Sequence, residues 1–183
     1  MSRVVCFGEL LLRMSAPGRE LLLQSAQLAV HPGGAEANVG VSLAHLGHTV
    51  AMVSTLPANP LGQFVAGELR RHGVDTGHVQ VRPGRMGLYF LTTGAVQRAS
   101  EVVYDRADSA FANSSATDYD WDTLLANADW LHLSGVSPAL NPAMAEATLA
   151  AAGAAGGRGG EGGFVGHIPP GGWGGGGGGG AGV

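Results

Sequence analysis

The sequence predicts an α/β fold, in which a parallel sheet is covered by helices, and three observations support this prediction. Along residues 1–150, short β-rich apolar segments alternate with segments of helical periodicity. The first of these segments is apolar throughout, which indicates a strand that is buried on both faces. Gly33 and Gly34 form a pair that leads directly into a helix.

The first predicted element is a strand at residues 3–8, which ends at a glycine and is followed by Glu9. Ligands of open α/β sheets bind beyond the carboxyl ends of the strands, so Glu9 is a candidate for a ligand site. A solvated charge at a strand end would have the same sequence, and the residues alone leave both interpretations open. Residues 21–30 are apolar without a helical period, which predicts one or two short strands.

The helix after the glycine pair carries Val39, Leu43 and Leu46 at helical spacing and stops at Gly47. Two glycines let the backbone come close to a ligand, and the free N–H groups of the first turn then point at that ligand. Asn38 lies in this first turn, where its amide can donate to and accept from a hydroxylated ligand. A tight strand-to-helix turn without a ligand is the alternative.

The remaining elements follow from apolar runs and from Asn-Pro pairs, which cap and begin helices. The acidic run at residues 118–122 is typical of a solvated first helical turn, where negative charge is favourable, rather than of a metal site. We predict strands at residues 49–54, near 79–81, and at 86–93, 101–104 and 130–134, with helices that begin at Asn59-Pro60 and Asn141-Pro142.

Composition narrows the classes of function. The formal net charge of −4 and the lack of a basic cluster argue against a nucleic-acid-binding surface. The single cysteine, Cys6, excludes an internal disulfide, and its place in the first strand indicates a buried structural thiol. There is no leader and no apolar run of membrane-spanning length, so we expect a cytoplasmic protein without a membrane partner.

Several motifs in a fixed order point to a family. Gly-Gly-Ala-Glu-Ala-Asn-Val at residues 33–39, followed by Leu-Ala-His-Leu-Gly at 43–47, resembles the N-terminal sugar-binding motif of the PfkB/ribokinase family of carbohydrate kinases, and within it the 2-keto-3-deoxygluconate kinases. The resemblance extends from Val4 to about Leu149. It includes Phe-Gly-Glu-Leu at 7–10, Asn-Pro-Leu-Gly at 59–62, Met-Gly-Leu-Tyr at 86–89, Val-Tyr-Asp-Arg-Ala-Asp-Ser-Ala at 103–110 and Leu-His-Leu-Ser-Gly at 131–135.

This resemblance implies a ribokinase-like three-layer fold with a small β lid, formed by residues near 16–32 and 79–106, that is often also a dimer surface. It implies ATP and Mg²⁺ as cofactors and a sugar acid as the small-molecule substrate. Arg13 and Met14 stand where related kinases often carry an acidic residue that holds sugar hydroxyls. The substrate-binding residues that it implies are Gly33, Gly34, Asn38, Tyr89, Tyr104 and Arg106.

The chemistry of the last three residues suits a sugar acid. Two phenols supply hydroxyl hydrogen bonds, and a guanidinium pairs with a carboxylate through two parallel bonds. An arginine at residue 106 therefore favours an acidic sugar over a neutral one. Ordinary strand tyrosines and a surface arginine are the alternative.

Residues 153–183 differ in composition from residues 1–152, which we assign to the sugar-binding part of a kinase domain. Of the last 33 residues 18 are glycine, against 14 in the first 150, so the segment buries little and is expected to be disordered. The chain has no lysine, which indicates a GC-rich gene, and a shifted reading frame in such a gene yields glycine, proline, arginine and alanine. We hypothesise that this tail is frameshifted and that the kinase sequence is truncated near residue 152.

The family's catalytic base is the aspartate of a late Gly-Ala-Gly-Asp motif, which this sequence lacks. We therefore nominate no catalytic residue and no site for ATP or Mg²⁺. The expectation is a carbohydrate kinase by family whose 183-residue chain is inactive. The alternative is a non-catalytic fragment that at most binds a sugar acid or self-associates.

Overall fold

The computed structural model of the chain describes residues 1–157 and, as backbone, the strand at 163–167. Nine strands and four α-helices are present in these residues. The strands are β1 (Arg3–Phe7), β2 (Leu11–Ser15), β3 (Ala29–Gly33), β4 (Thr49–Pro57), β5 (Val74–Arg82), β6 (Gly87–Thr92), β7 (Glu101–Asp105), β8 (Trp130–Ser134) and β9 (Gly163–His167). The helices are α1 (Ala35–His45), α2 (Pro60–Arg71), α3 (Trp121–Leu124) and α4 (Pro142–Gly156).

The main sheet contains five strands in the order β5-β4-β1-β8-β9, and every neighbouring pair is parallel. Strand β1 lies in the middle, and the chain leaves it first toward β4 and later returns on its other side as β8. A change of direction of this kind creates a crevice at the carboxyl ends of the strands, where ligands of open α/β sheets bind.

Helices cover both faces of this sheet, so the predicted three-layer α/β fold is confirmed. On one face Cys6 and Met52 pack with Val65 and Leu69 of α2. On the other face the core is built around Phe7, which is fully buried. The ring of Phe7 lies 5.5, 5.0 and 4.9 Å, centroid to centroid, from three aromatic rings, in tilted or edge-to-face arrangements that favour such pairs. These rings belong to Phe111, Tyr119 and Trp121.

The helix ends follow local sequence. The Asn59 side chain accepts hydrogen bonds from the N–H groups of Leu61 and Gly62, at 3.0 and 3.2 Å, at the start of α2. Asn141 does the same for Met144 at the start of α4, at 2.9 Å. Both predicted caps are confirmed.

The second sheet is the predicted lid, and it has four strands in the order β3-β2-β6-β7. Its bounds differ from those that the sequence predicts. Strand β2 belongs to the lid although it precedes residue 16, and residues 79–82 end strand β5 of the main sheet. Residues 22–24 form a 3-10 turn rather than a strand. Residues 9–15 contain no glycine or proline, so the sequence does not mark the point at which the chain enters the lid.

Part of the glycine-rich tail is ordered backbone. Helix α4 continues to Gly156, and β9 pairs in parallel with β8 over five residue pairs. The structure thus differs, for these residues, from the predicted disorder of residues 153–183. Residues 158–162 and 168–183 lie outside the described residues, and so does the remainder of that prediction. No helix within the described chain has the length and apolar character needed to cross a membrane.

Candidate functional site

The candidate site lies beyond the carboxyl end of β1, where Gly8 and Glu9 follow the strand. The Glu9 side chain is only 2% exposed, so this residue is not the solvated strand-end charge that the sequence left open. Its Oε2 accepts a hydrogen bond from Nε of Arg106 at 2.7 Å and lies 2.5 Å from Nη2 of the same residue. Its Oε1 accepts from the hydroxyl of Ser109 at 2.5 Å.

These contacts define an ion pair between the main sheet and the loop after β7. Burial raises the pKa of Glu9, while the Ser109 hydrogen bond and Arg106 work in the opposite direction. Ser109 is itself oriented, because its Oγ accepts from the N–H of Ala112 at 3.1 Å. Asp105, the residue before Arg106, is also held by a side-chain contact. Arg85 donates a hydrogen bond to the Asp105 carboxylate at 2.6 Å and thereby lowers the pKa of that carboxyl. The Arg106 guanidinium is therefore held in place from the sheet below it.

A second buried carboxylate lies on the neighbouring side of Gly8. Glu36, in the first turn of α1, is 1% exposed and accepts a short hydrogen bond from the Ser134 hydroxyl at the carboxyl end of β8. This contact joins the helix to the strand across the crevice between β1 and β8. Glu36 also faces the buried thiol of Cys6, and burial together with this carboxylate raises the pKa of that thiol to about 12. The expected structural role of Cys6 agrees with this environment.

The glycine pair lies against Glu9 and the lid. Gly34 has a φ of 144°, and a β-carbon there would lie 2.6 Å from the backbone oxygen of Glu9. A β-carbon on Gly33 would lie 3.1 Å from the hydroxyl of Tyr89. The backbone thus approaches both a strand end and a phenol at distances that a side chain would obstruct.

One face of the lid carries the polar residues of the site. In the register of the lid, Arg13 of β2 is paired with His31 of β3 and with Tyr89 of β6, and Tyr89 is paired with Tyr104 of β7. Residues paired in this way project from the same face of the sheet, and we call these four residues the polar row. The rings of Tyr89 and Tyr104 lie 5.8 Å apart, and Cζ of Arg106 lies 5.6 Å from the Tyr104 ring centroid. The two phenols and the guanidinium are therefore neighbours.

A cavity of about 470 Å³ lies between α1, α2 and the lid strands β2 and β3. Its lining includes Gly33 and Asn38 of the predicted site, whereas Tyr89, Tyr104 and Arg106 do not line it. Asn38 is exposed. Lining residues that the sequence did not nominate include Arg13, His31, Ser42, Glu68 and His72.

The structure brings most of the predicted residues together and adds others that sequence reasoning missed. The Ser109 hydroxyl binds the buried carboxylate of Glu9, which is 100 residues away in the sequence. The Ser134 hydroxyl binds the buried carboxylate of Glu36, which is 98 residues away. Ser109, Glu36 and Ser134 all lie within segments that carry the family resemblance, such as the Ser-Ala that ends residues 103–110. No local pattern marks them as partners of Glu9 or of each other.

Chemically, this arrangement suits a hydroxylated anion. It offers backbone N–H groups at a helix start, two phenols, an amide and two guanidinium groups. Within residues 1–157, no three side chains of His, Cys, Asp or Glu come together as a metal site. The acidic run at 118–122 is likewise structural, since Asp118 pairs with Arg82 at 2.8 Å and Asp120 accepts from the Thr123 N–H at 3.2 Å.

Comparison with known proteins shows the family to which the chain is similar. The model of the pfkB family of carbohydrate kinases matches residues 1–170. A 2-dehydro-3-deoxygalactonokinase of Haloferax volcanii is 35% identical over 147 residues, which cover 80% of this chain and 46% of that protein. A 2-dehydro-3-deoxygluconokinase of Thermoproteus tenax is 30% identical over 155 residues, which cover 84% of this chain and 47% of that protein.

Among solved structures, a 2-dehydro-3-deoxygluconokinase from Thermotoga maritima superposes with a TM-score of 0.85 at 40% sequence identity. The match covers 92% of this chain and 50% of that one. The chain therefore spans about half the length of the relatives it matches. With the family match covering most of its residues, the chain belongs to the PfkB family of carbohydrate kinases.

Proposed function

We propose that this chain supplies the sugar-binding half of a kinase that phosphorylates a 2-keto-3-deoxy sugar acid with ATP. One observation supports this most directly: the glycine pair, Tyr89 and the Glu9–Arg106 pair lie in contact at the switch point of a parallel sheet. The relatives named above act on 2-dehydro-3-deoxy sugar acids, according to their names. Both the geometry and the relatives favour an acidic sugar.

The roles of the predicted residues follow from their positions. Gly33 and Gly34 would let a sugar come close to the backbone, and Asn38 would bind its hydroxyls. Tyr89 and Tyr104 would donate phenolic hydrogen bonds from the lid. Arg106, oriented by Glu9, would present its remaining N–H groups to the acid.

Phosphoryl transfer needs both substrates in position, a base for the hydroxyl, and relief of the charge on the transferring group. The residues described here would position the sugar, and we assign to them none of the other requirements. ATP and Mg²⁺ are the cofactors that the family resemblance implies, and we assign no residue of this chain to them. We therefore propose that the 183-residue chain binds the sugar acid without turning over ATP, and that restoring a shifted downstream reading frame yields activity.

Two measurements on the purified chain test this proposal. Isothermal titration with 2-keto-3-deoxygluconate should show binding that Tyr104→Ala weakens about tenfold, as expected for a lost hydrogen bond of about 1–1.5 kcal/mol. Val102→Ala, on the same strand, is the matched control and should bind like the wild type. A coupled ATP-consumption assay should show no turnover by the chain and turnover by the frame-restored form. No binding by the wild-type chain would contradict the sugar-acid proposal, and turnover by that chain would contradict the proposed lack of a base.

We also propose that the lid forms a homodimer surface. The face opposite the tyrosines carries an apolar row of Val30, Met14, Phe90 and Val103, paired in register across all four lid strands. Val30 and Val103 at its two ends are 39% and 51% exposed. Sedimentation equilibrium should give a dimer that Val103→Asp dissociates, because a charge in an apolar contact loses its water. The control is Val81→Asp, at an exposed position of the main sheet, and equal dissociation by both variants would exclude the lid as the interface.

A further inference from the structure

We infer that Arg13, in addition to Arg106, is a charged group that selects an acidic over a neutral sugar in this site. This inference rests on the proposed sugar-acid function and adds to it a residue that the family resemblance does not supply.

The position of Arg13 joins the two parts of the site. Its strand places it between His31 and Tyr89 in the polar row of the lid. It also lines the cavity that contains Gly33 and Asn38. Among the described residues, Arg13 is thus the arginine that belongs both to the polar row and to the cavity lining, whereas Arg106 lies beyond Tyr104 and does not line the cavity.

The guanidinium of Arg13 lacks a partner among the described residues. Its Nε is buried and makes no hydrogen bond there, and none of the ion pairs of the described chain includes it. A buried donor on a cation is costly unless an acceptor satisfies it. The arrangement therefore suits an anionic ligand that is absent from the free protein.

Two other charged groups beside the cavity and the lid are already paired with opposite charges. Glu9 neutralises Arg106 at 2.5 Å, and Glu68, which lines the cavity, is held by Arg71 at 2.9 Å. If the Glu9–Arg106 pair were the only charged group in contact with the ligand, the ligand's carboxylate would add an uncompensated negative charge to a partly buried site. Arg13 compensates this charge and can bind both carboxylate oxygens with its planar fork.

The expected consequence is discrimination between an acid and its neutral analogue. A neutral analogue leaves the Arg13 guanidinium unpaired, and sites with an unpaired polar group reject such ligands by large factors. We expect the wild-type chain to bind 2-keto-3-deoxygluconate at least tenfold more tightly than its C1 carboxamide.

Titration calorimetry of both ligands with the full chain tests the inference. Arg13→Gln should weaken binding of the acid at least tenfold and change binding of the carboxamide less than twofold. Arg13→Lys should recover part of the preference, because it restores the charge without the fork. If Arg13→Gln unfolds, Arg13→Met replaces it, because methionine retains the apolar stem of the side chain. The control is Arg19→Gln, which changes an exposed arginine outside the cavity.

The outcomes separate the inference from the proposed function. If the wild type binds the acid and Arg13→Gln binds it equally well, or loses both ligands in equal proportion, Arg13 is not a selecting group and the sugar-acid proposal stands. If the wild type binds neither ligand, the proposed function fails and the inference fails with it. A selective loss of the acid supports both.

Discussion

Removing Arg106 should expose how strongly the fold depends on its pairing with Glu9. Arg106→Met deletes the cation that lies 2.5 Å from a carboxylate only 2% exposed, and leaves Glu9 with the Ser109 hydroxyl. Breaking a buried ion pair on one side destabilises proteins by about 3–5 kcal/mol, because the remaining charge is buried without compensation. We expect a loss in that range at pH 7.

The loss should depend on pH in a defined direction. Burial already raises the pKa of Glu9 in the folded state, and Arg106 opposes that rise. Without Arg106 the folded-state pKa rises further above the ordinary value of 4.5. A carboxyl whose pKa is raised in the folded state disfavours folding once it is ionised, because the folded state binds its proton more tightly than the unfolded state does. The resulting loss of stability is small at low pH, where the carboxyl is protonated in both states, and grows as pH rises through the folded-state pKa. The destabilisation by Arg106→Met should therefore be smaller at pH 5 than at pH 7.

Urea unfolding followed by circular dichroism at both pH values measures this effect, with Glu9→Gln and the double variant Glu9→Gln/Arg106→Met completing a cycle. The double variant should recover part of the loss, because no buried charge remains. Arg85→Met is the control, since its pair with Asp105 is exposed and exposed ion pairs contribute little to stability. Equal losses for Arg106→Met at pH 5 and pH 7, or a loss no larger than that of Arg85→Met, would refute the reasoning.

Three further outcomes are expected. Gly8→Ala places a β-carbon 2.8 Å from Cγ of the buried Glu36 and closer to its carboxyl. We therefore expect the free energy of unfolding, measured in urea, to fall by about 2–4 kcal/mol. A second substitution, Glu36→Ala, should reduce this loss. Asn59→Ala should lower the free energy of unfolding by about 1 kcal/mol through loss of the α2 cap, whereas Asn59→Asp should not. Cys6, fully buried and with a pKa of about 12, should react with a thiol reagent at pH 8 only in urea, and reaction in native buffer would contradict its placement.

Much of the fold was predictable because its determinants are local. The apolar run of β1, the Asn-Pro caps of α2 and α4, and the glycine pair before α1 each act through neighbours a few residues away, so their patterns predict structure directly. The order of strands and helices then predicts a parallel sheet. The sequence predicted the bounds of the lid only approximately, since no glycine or proline separates β2 from the residues before it, and β2 joins the lid through pairing with β3 and β6.

The candidate site divides in the same way. Gly33, Gly34 and Asn38 belong to one contiguous motif, and the sequence by itself predicts that a helix begins directly after the glycine pair. Only the tertiary structure decides that Glu9 is buried against Arg106 and Ser109, and that Glu36 reaches Ser134. These contacts span about a hundred residues, and their strength comes from removal of water by the surrounding fold, which no local pattern of residues specifies.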